Sequence, residues 1–505
     1  MAVSIKKTSS LLFLLRLLRM LLTVVTVTFT AKFFGVSVEK DMWVLASALV
    51  ATITSAIWGP LNEVFRTKFV FLKEQEGEGN AIRKTASLIG FVFVVSLALV
   101  ILIFVTSPVI GTLMTENLAN ASEQIFVMIL ILLVPTLLIN EMANIGISVL
   151  NAYDVFYLPE IVGFVSGIVN LGAIILLAPV FGIYSLLVAT YFGSIVLFLV
   201  VVFFLYKKRI NIWNRLLKFK WIDIRVFLLF SLPFFFPYFA GQINFVFEKY
   251  LSGMLGAGMI SSLDYSRQFI NMLQSVISSV LTTIFVPILA KMYITKDREG
   301  FIKTLKENLA IMTLILCTAS IFLTGATKPL CQFFFYRGRV SWEALQIIIR
   351  LTRMFGIAFW GVIVYIIFGL SLLASDKGKL YAAIGIANQI LILLINLLCM
   401  PLMGIWIFPI SYGIVHLLSG LYMFYKLDVD SHVAVIIPFV RGMLVTSVVV
   451  IFYYYLSDLM TGLNSFVCLL LIVSTLVVTI PVEAELIGIK VKKQIVKLYN
   501  KYGKR

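Results

Sequence analysis

Long apolar runs that contain no charged residue recur along this sequence, and they set the solvent in which it can fold. Residues 86–113 and 182–206 are two of them: neither contains an Asp, Glu, Lys or Arg. Across the 505 residues, 61% are hydrophobic and 13% charged. A soluble domain carries roughly 45–50% apolar and about 25% charged residues. What is left here is too little to cover a water-facing surface, whereas lipid requires no such cover. Hydrocarbon offers no partner to a bare peptide group, so the crossings must be helices or a closed barrel. The runs are continuous rather than alternating, which selects helices.

A bilayer core takes about 20 apolar residues per helix, within a range of roughly 17–25. On that rule the sequence predicts an all-α integral membrane protein of about fourteen helices. They fall near 11–34, 42–71, 86–113, 124–150, 156–180, 182–206, 225–250, 260–292, 302–327, 345–373, 379–403, 405–426, 433–457 and 463–487. The start, MAVSIKK before an apolar run, imitates a secretory leader. Arg16 and Arg19 interrupt the run and no small-residue cleavage site follows, so it reads as a retained first helix.

Lysine and arginine mark the orientation. With the N-terminus inside, the inner loops hold Arg83 and Lys84, the cluster from Lys207 to Lys220, Lys291 to Arg298, and Lys377 with Lys379. The basic tail from Lys490 to Arg505 is then also inside, and the outer loops are poor in cations. The net charge of +17 follows from this placement and from attraction to anionic headgroups, so no nucleic-acid partner is expected.

An internal repeat shows at a spacing of about 221 residues. Ala178-Pro179-Val180-Phe181-Gly182-Ile183-Tyr184 matches Met400-Pro401-Leu402-Met403-Gly404-Ile405-Trp406. Leu61–Phe65 resembles Leu281–Phe285, and Phe33–Val36 resembles Met254–Ala257. Each match is short; the nearly common offset carries the inference. Six helices per repeat bring both halves in from the same side, a transporter architecture. The expected lobes are 1–215 and 216–430, two pseudo-symmetric six-helix halves. The last two helices and the tail, 431–505, form an appendage.

The four cysteines are scattered without paired spacing, and there are two histidines. Neither a disulfide framework nor a metal signature is present, and phosphate-loop and nucleophile-elbow motifs are absent. No cofactor, no metal and no catalytic residue is expected.

A charge at membrane depth costs about 2.5–3.5 kcal/mol on insertion scales, so it marks function by default. Arg16 and Arg19 fall in the first predicted helix; Glu63, Arg66 and Lys68 in the second; Glu141, beside Asn140 and Asn144, in the fourth. Asp264 and Arg267 fall in the eighth, Arg350 and Arg353 in the tenth. Arg16 and Arg19 share one helix face, where like charges repel. Two cations so placed suit an arriving anion such as a diphosphate, which arginine grips through its planar fork. Snorkelling to headgroups is the other reading for Arg16, Arg19 and Arg66, which lie within two or three turns of the inner face. Arg267 lies deeper, about 10 Å from the outer end of its helix. The opposite-charge pairs Glu63/Arg66 and Asp264/Arg267 can also neutralise each other. Glu141 reads either as a protonatable coupling group or as a hydrogen-bonded core acid. Leu232-Pro233-Phe234-Phe235-Phe236-Pro237 predicts a break in the seventh helix, of the kind that lines transporter cavities.

Four patches resemble the MurJ/MviN-type lipid II flippases, within the superfamily of multidrug, oligosaccharide-lipid and polysaccharide exporters. They are Tyr265-Ser266-Arg267 through Val286-Pro287-Ile288-Leu289-Ala290, and Phe335-Tyr336-Arg337-Gly338-Arg339-Val340 with Glu343-Ala344-Leu345. The others are Leu150-Asn151 with Phe156, Pro159 and Asn170, and Ala31-Lys32-Phe33-Phe34-Gly35 with Asp41. In the first helix, Thr26 and Val27 stand where that family has an Arg-Asp pair. The resemblance implies two lobes around a central cavity, a groove for a lipid tail beside the last two helices, and outward movement of a polyprenyl-diphosphate-linked saccharide. It also implies that Arg267 contacts diphosphate and that Asp41 is a functional acid.

The reading that joins these observations is a flippase of the bacterial inner membrane, with both termini cytoplasmic, working by alternating access. Its cargo is lipid II or a related lipid-linked oligosaccharide. Arg16, Arg19, Arg66 and Arg267 hold the diphosphate; Asp41, Glu63, Glu141 and Asp264 serve as coupling or counter-charge groups. Membrane lipids are its surroundings, and H+, Na+ or the membrane potential is the candidate driving force. The alternative is a cation-coupled exporter of small molecules or drugs from the same superfamily. That reading expects carboxylates to govern the cavity, whereas cations outnumber acids within these helices. A membrane glycosyltransferase would need a large loop with clustered carboxylates or histidines, and the sequence has none.

Overall fold

The structure is a computed structural model describing residues 2–116, 118, 123–153, 155, 157–429, 432–460 and 462–488. The basic tail expected from Lys490 lies outside the described residues. Among these residues the chain is helical almost throughout, with no strand. The order begins α1 (Ala2–Phe34), α2 (Val38–Glu76), α3 (Glu78–Thr115), α4 (Glu123–Leu133), α5 (Pro135–Ala152), α6 (Leu158–Phe181), α7 (Ser185–Lys207) and α8 (Trp221–Gly253). It continues α9 (Met259–Val280), α10 (Val286–Ile294), α11 (Arg298–Ser320), α12 (Thr327–Phe335), α13 (Trp342–Ala374), α14 (Gly378–Met403), α15 (Ile407–Tyr425), α16 (His432–Leu459) and α17 (Ser465–Ile487).

The apolar runs became helices because lipid leaves the backbone no other way to close its hydrogen bonds. Among the described residues, nine helical stretches are long and apolar enough to cross a membrane. Two of the nine, Leu158–Lys207 and Gly378–Tyr425, have 50 and 48 residues and so provide for two crossings each. At 39 residues α2 is about 58 Å long, nearly twice the hydrocarbon layer, so it tilts or protrudes.

The predicted windows differ from the structure where proline or a π-turn intervenes. The window 124–150 divides at Val134, because Pro135 has no N–H to continue the ladder. The window 260–292 contains a π-helical turn, Leu281–Phe285, just before Pro287. A second π-turn, Ile321–Gly325, closes α11. The break expected at 233–237 does not occur: α8 is assigned as one helix from Trp221 to Gly253.

The repeat has a local structural counterpart. Gly182 and Gly404 each end a helix at φ +55° and +58°, and each opens a single 3-10 turn, Gly182–Tyr184 and Gly404–Trp406. The short match therefore encodes the same tight turn twice.

Two compact units are present. One comprises Met1–Ser261 with Arg337–Ser341, the other Ser262–Tyr336 with Trp342–Arg505. In the first unit α8 packs along α2 and α3, and α1 along α6. Its core stacks Phe65 on Phe69 and Phe227, with ring centroids 6.0 and 5.2 Å apart. In the second unit α13 is the central helix, packed closely on α15. A Cβ on Gly361 would stand 2.2 Å from the Gly413 carbonyl oxygen, so only glycine allows this approach. The final pair, α16 and α17, packs on α11 and α12 of this second unit. Elsewhere it presents exposed Leu444, Val448, Val477 and Val478, an apolar face suited to lipid.

Candidate functional site

In the first unit the predicted arginines of α1 converge on one acid. Arg16 Nε donates to Glu160 Oε1 at 2.8 Å, and Arg19 Nη1 lies 3.7 Å from Glu160 Oε2. Glu160 stands in the first turn of α6, where a carboxylate also favours the helix dipole. One carboxylate thus offsets two guanidinium groups. Both arginine side chains remain about half exposed, within reach of an arriving anion. Glu160 was not legible in the sequence because nothing local ties it to Arg16, 144 residues earlier.

Glu63 and Arg66 are both exposed on α2. One position from Glu63, Asn62 turns inward and its Nδ2 donates to Glu141 Oε2 at 3.1 Å. Asn144 Nδ2 donates to the other oxygen at 3.2 Å. Glu141 is 1% exposed, so it is an interior acid held by two neutral amides. That geometry fits the core-acid reading and leaves the group able to carry a proton.

Asp41 is 3% exposed and belongs to the first turn of α2. It accepts from the backbone N–H of Gly258 at 2.6 Å and of Ser261 at 2.7 Å, and from the Ser261 hydroxyl. These are donors that the start of α9 leaves unsatisfied. Asp41 therefore anchors the beginning of the helix that carries Asp264 and Arg267. Replacing Asp41 by alanine strands up to three buried donors, each at roughly 1–3 kcal/mol. Thermal unfolding of the Asp41→Ala protein in detergent should begin at least several degrees below the parent, with Asp41→Asn between them. An unchanged transition would remove the anchoring role.

Beside Arg339, the end of α1 shows why glycine recurs there. Arg339 N–H donates to the Lys32 carbonyl at 3.2 Å. Gly338, at φ +61°, brings its backbone against Lys32, and Gly35, at φ +60°, against Arg339. The segment Arg337–Ser341 is thereby seated on the turn between α1 and α2.

In the second unit the guanidinium of Arg267 occupies a corner between two aromatic rings. Its Cζ is 4.6 Å from the centroids of both Phe355 and Tyr412, whose rings meet edge to face at 75°. Ring contact engages the faces of the guanidinium and orients its N–H fork in the plane between them. Tyr412 is itself fixed: its hydroxyl donates to Gln274 Oε1 at 3.0 Å, and its carbonyl lies 2.7 Å from His416 Nδ1. Asp264, one turn before Arg267 and half-buried, accepts from Gln268 at 3.5 Å. Arg353 packs over Tyr454 at 4.8 Å, and Arg350 is exposed. The aromatic partners of Arg267 come from α13 and α15, and no spacing in the sequence announces them.

The structure thus places Arg16, Arg19, Arg66, Asp41, Glu63 and Glu141 in one unit and Arg267 and Asp264 in the other. A family model described as Lipid II flippase MurJ matches residues 30–482. The match takes in every candidate residue except Arg16 and Arg19. A relative from Burkholderia cenocepacia, named as lipid II flippase MurJ, is 23% identical over 297 residues, 57% of this chain. The chain spans 57% of the length of that relative. Among solved structures, an inward closed conformation of lipid II flippase MurJ aligns with a TM-score of 0.74 at 18% identity, covering 92% of this chain and 99% of that one. An inward-facing multidrug resistance transporter of the MATE family aligns at 0.65 and 14%, over 85% and 95%.

Proposed function

On the premise that this chain belongs to the lipid II flippase MurJ family, we propose that it moves a polyprenyl-diphosphate-linked saccharide from the inner to the outer leaflet. The cargo is lipid II or a closely related lipid-linked oligosaccharide, which makes the protein part of cell-wall or surface-polysaccharide assembly. It acts as a transporter rather than an enzyme, in the bacterial inner membrane, with both termini cytoplasmic and about fourteen crossings. The family match over residues 30–482 is the observation that supports this most.

The proposed mechanism is alternating access between two six-helix lobes, 1–215 and 216–430, with 431–505 beside them. Arg16, Arg19, Arg66 and Arg267 take the diphosphate. The aromatic corner around Arg267 supports this role, because it presents a planar fork that matches phosphate oxygens. Glu160 and Glu63 offer counter-charge to the cations of the first unit when no cargo is bound, as Asp264 does for Arg267. Asp41 and Glu141 complete the set of candidate coupling acids. The prenyl tail stays in lipid along the apolar face of α16 and α17.

The test is reconstitution. Full-length protein in liposomes should carry a fluorescent polyprenyl-diphosphate disaccharide across the bilayer. Failure to move it, together with export of a cationic drug, would overturn the proposal in favour of the small-molecule exporter.

A further inference from the structure

We propose that α11, α16 and α17 enclose a proton-binding site at the Glu483 carboxyl, loaded and unloaded during the transport cycle. This adds an ion site to the transporter described above and holds whatever the cargo is.

Glu483 lies on α17, one turn before its end, and is 2% exposed. Among the described residues neither carboxylate oxygen completes a hydrogen bond. The Thr479 hydroxyl, one turn earlier on the same helix, stands against it without closing one. No described cation pairs with it. Buried acids are ordinarily hydrogen-bonded or paired, so this one needs an explanation. An ionised carboxylate here would have no compensating charge among the described residues, in a low-dielectric interior. A carboxylic acid would not, and a proton on either oxygen gives the group a donor to offer Thr479.

The neighbouring helices pack closely here. Gly442 lets α16 approach α11 so closely that a Cβ there would stand 1.9 Å from the Thr313 methyl. Beside it Thr446 donates to Cys317 Sγ at 2.6 Å, which occupies both groups. A row of hydroxyls leads away from the acid. Thr475, Thr479 and Glu483 succeed one another at four-residue spacing on one face of α17. Tyr453 of α16 bridges the first two, 2.8 Å from Thr475 Oγ1 and 3.4 Å from Thr479 Oγ1. Hydroxyls both donate and accept, so such a row can pass a proton. The other end of α17 closes on α12 through Ser465 and Gln332.

The titratable groups facing this region are Cys317 from α11 and Tyr453 from α16. Lys303, Lys306 and Glu307 come before Thr313 on α11, and His432 stands at the start of α16. Arg441 and Glu485 are exposed, and Lys328 of α12 pairs with Asp458 at the opposite end. Tyr454 and Tyr455 follow Tyr453, with Tyr454 turned to Arg353. Cys331 is buried beside Thr352, and Cys468 contacts Met460. None of these supplies Glu483 with a positive charge.

The experiment uses full-length protein in liposomes, with the proton itself as the probe. Infrared difference spectra between pH 5 and pH 8 should show a protonated-carboxyl band that Glu483→Gln removes and Glu483→Asp shifts. An identical band in Glu483→Gln would overturn the site, even if Glu141 and Asp41 contribute bands of their own. Transport gives the second readout. The parent's rate should change about 5-fold or more across that pH range, the scale of ordinary coupling, while Glu483→Gln stays nearly flat. An unaltered pH profile in Glu483→Gln would equally overturn it. Should Glu483→Gln fail to accumulate, the Glu483→Asp band shift decides alone: a shift supports the site and its absence overturns it. The infrared readout needs no cargo, so failure of the saccharide assay leaves this test standing.

Discussion

Arg267→Ala should abolish transport while the protein accumulates in the membrane at the parent's level. The substitution removes a guanidinium held between two aromatic rings, one of them a tyrosine that is itself fixed by Gln274. A buried charge contact with an anionic partner is typically worth 2–5 kcal/mol or more, so the rate should fall by roughly 100-fold or beyond. The lost ring contacts cost stability by only about 1 kcal/mol each. Arg267→Lys separates charge from shape: it keeps the cation but not the planar fork, and should retain a fraction of the rate. Flipping in liposomes, with immunoblots of the membrane fraction, reads both quantities. Parental transport by Arg267→Ala would remove the arginine from the site.

Gly338→Ala should unseat the segment Arg337–Ser341 from the end of α1. The added Cβ would stand 2.1 Å from the Lys32 carbonyl oxygen, which is backbone and cannot swing aside. The residue also sits at φ +61°, where a side chain costs a further 1–2 kcal/mol or so. The Arg339-to-Lys32 hydrogen bond has to break to relieve the clash. Gly35→Ala approaches the same contact from the other strand of chain, 2.5 Å from the Arg339 carbonyl. Because both changes destroy one contact, the double variant should be little worse than either single one. A cysteine placed at Ser341 reports the change. Its labelling by a membrane-impermeant maleimide should accelerate about 10-fold in each variant as the local structure opens. Of the native cysteines, Cys317, Cys331 and Cys468 are buried and Cys399 is half-buried, so their background is low. Equal labelling rates in parent and variants would contradict the seating.

The helices were legible because lipid imposes a single rule, a long apolar run, that needs no knowledge of neighbours. The turns at Gly182 and Gly404 were legible through their shared motif. The π-turns were not: Leu281–Phe285 mixes two threonines with apolar residues and breaks no helical pattern on either side. The candidate arginines were legible as charges out of place, yet their partners were not. Glu160 reads as an ordinary first-turn acid, and Phe355 and Tyr412 as two aromatics among many. Burial separated the remaining acids. Glu63 and Glu141 look alike in sequence, but one is exposed and the other is enclosed by two asparagines. Glu483 drew no notice in the sequence because an acid four residues from a helix end looks interfacial; only the close seat of α16 on α11 encloses it.

The turns at Gly182 and Gly404 have a consequence for biogenesis. Each joins two apolar helices through a single 3-10 turn that holds no lysine or arginine. Each hairpin therefore carries no polar loop at its tip. Its orientation is decided wholly at the two open ends, by Lys207 and Lys208 for one hairpin and by Lys377, Lys379 and Lys426 for the other.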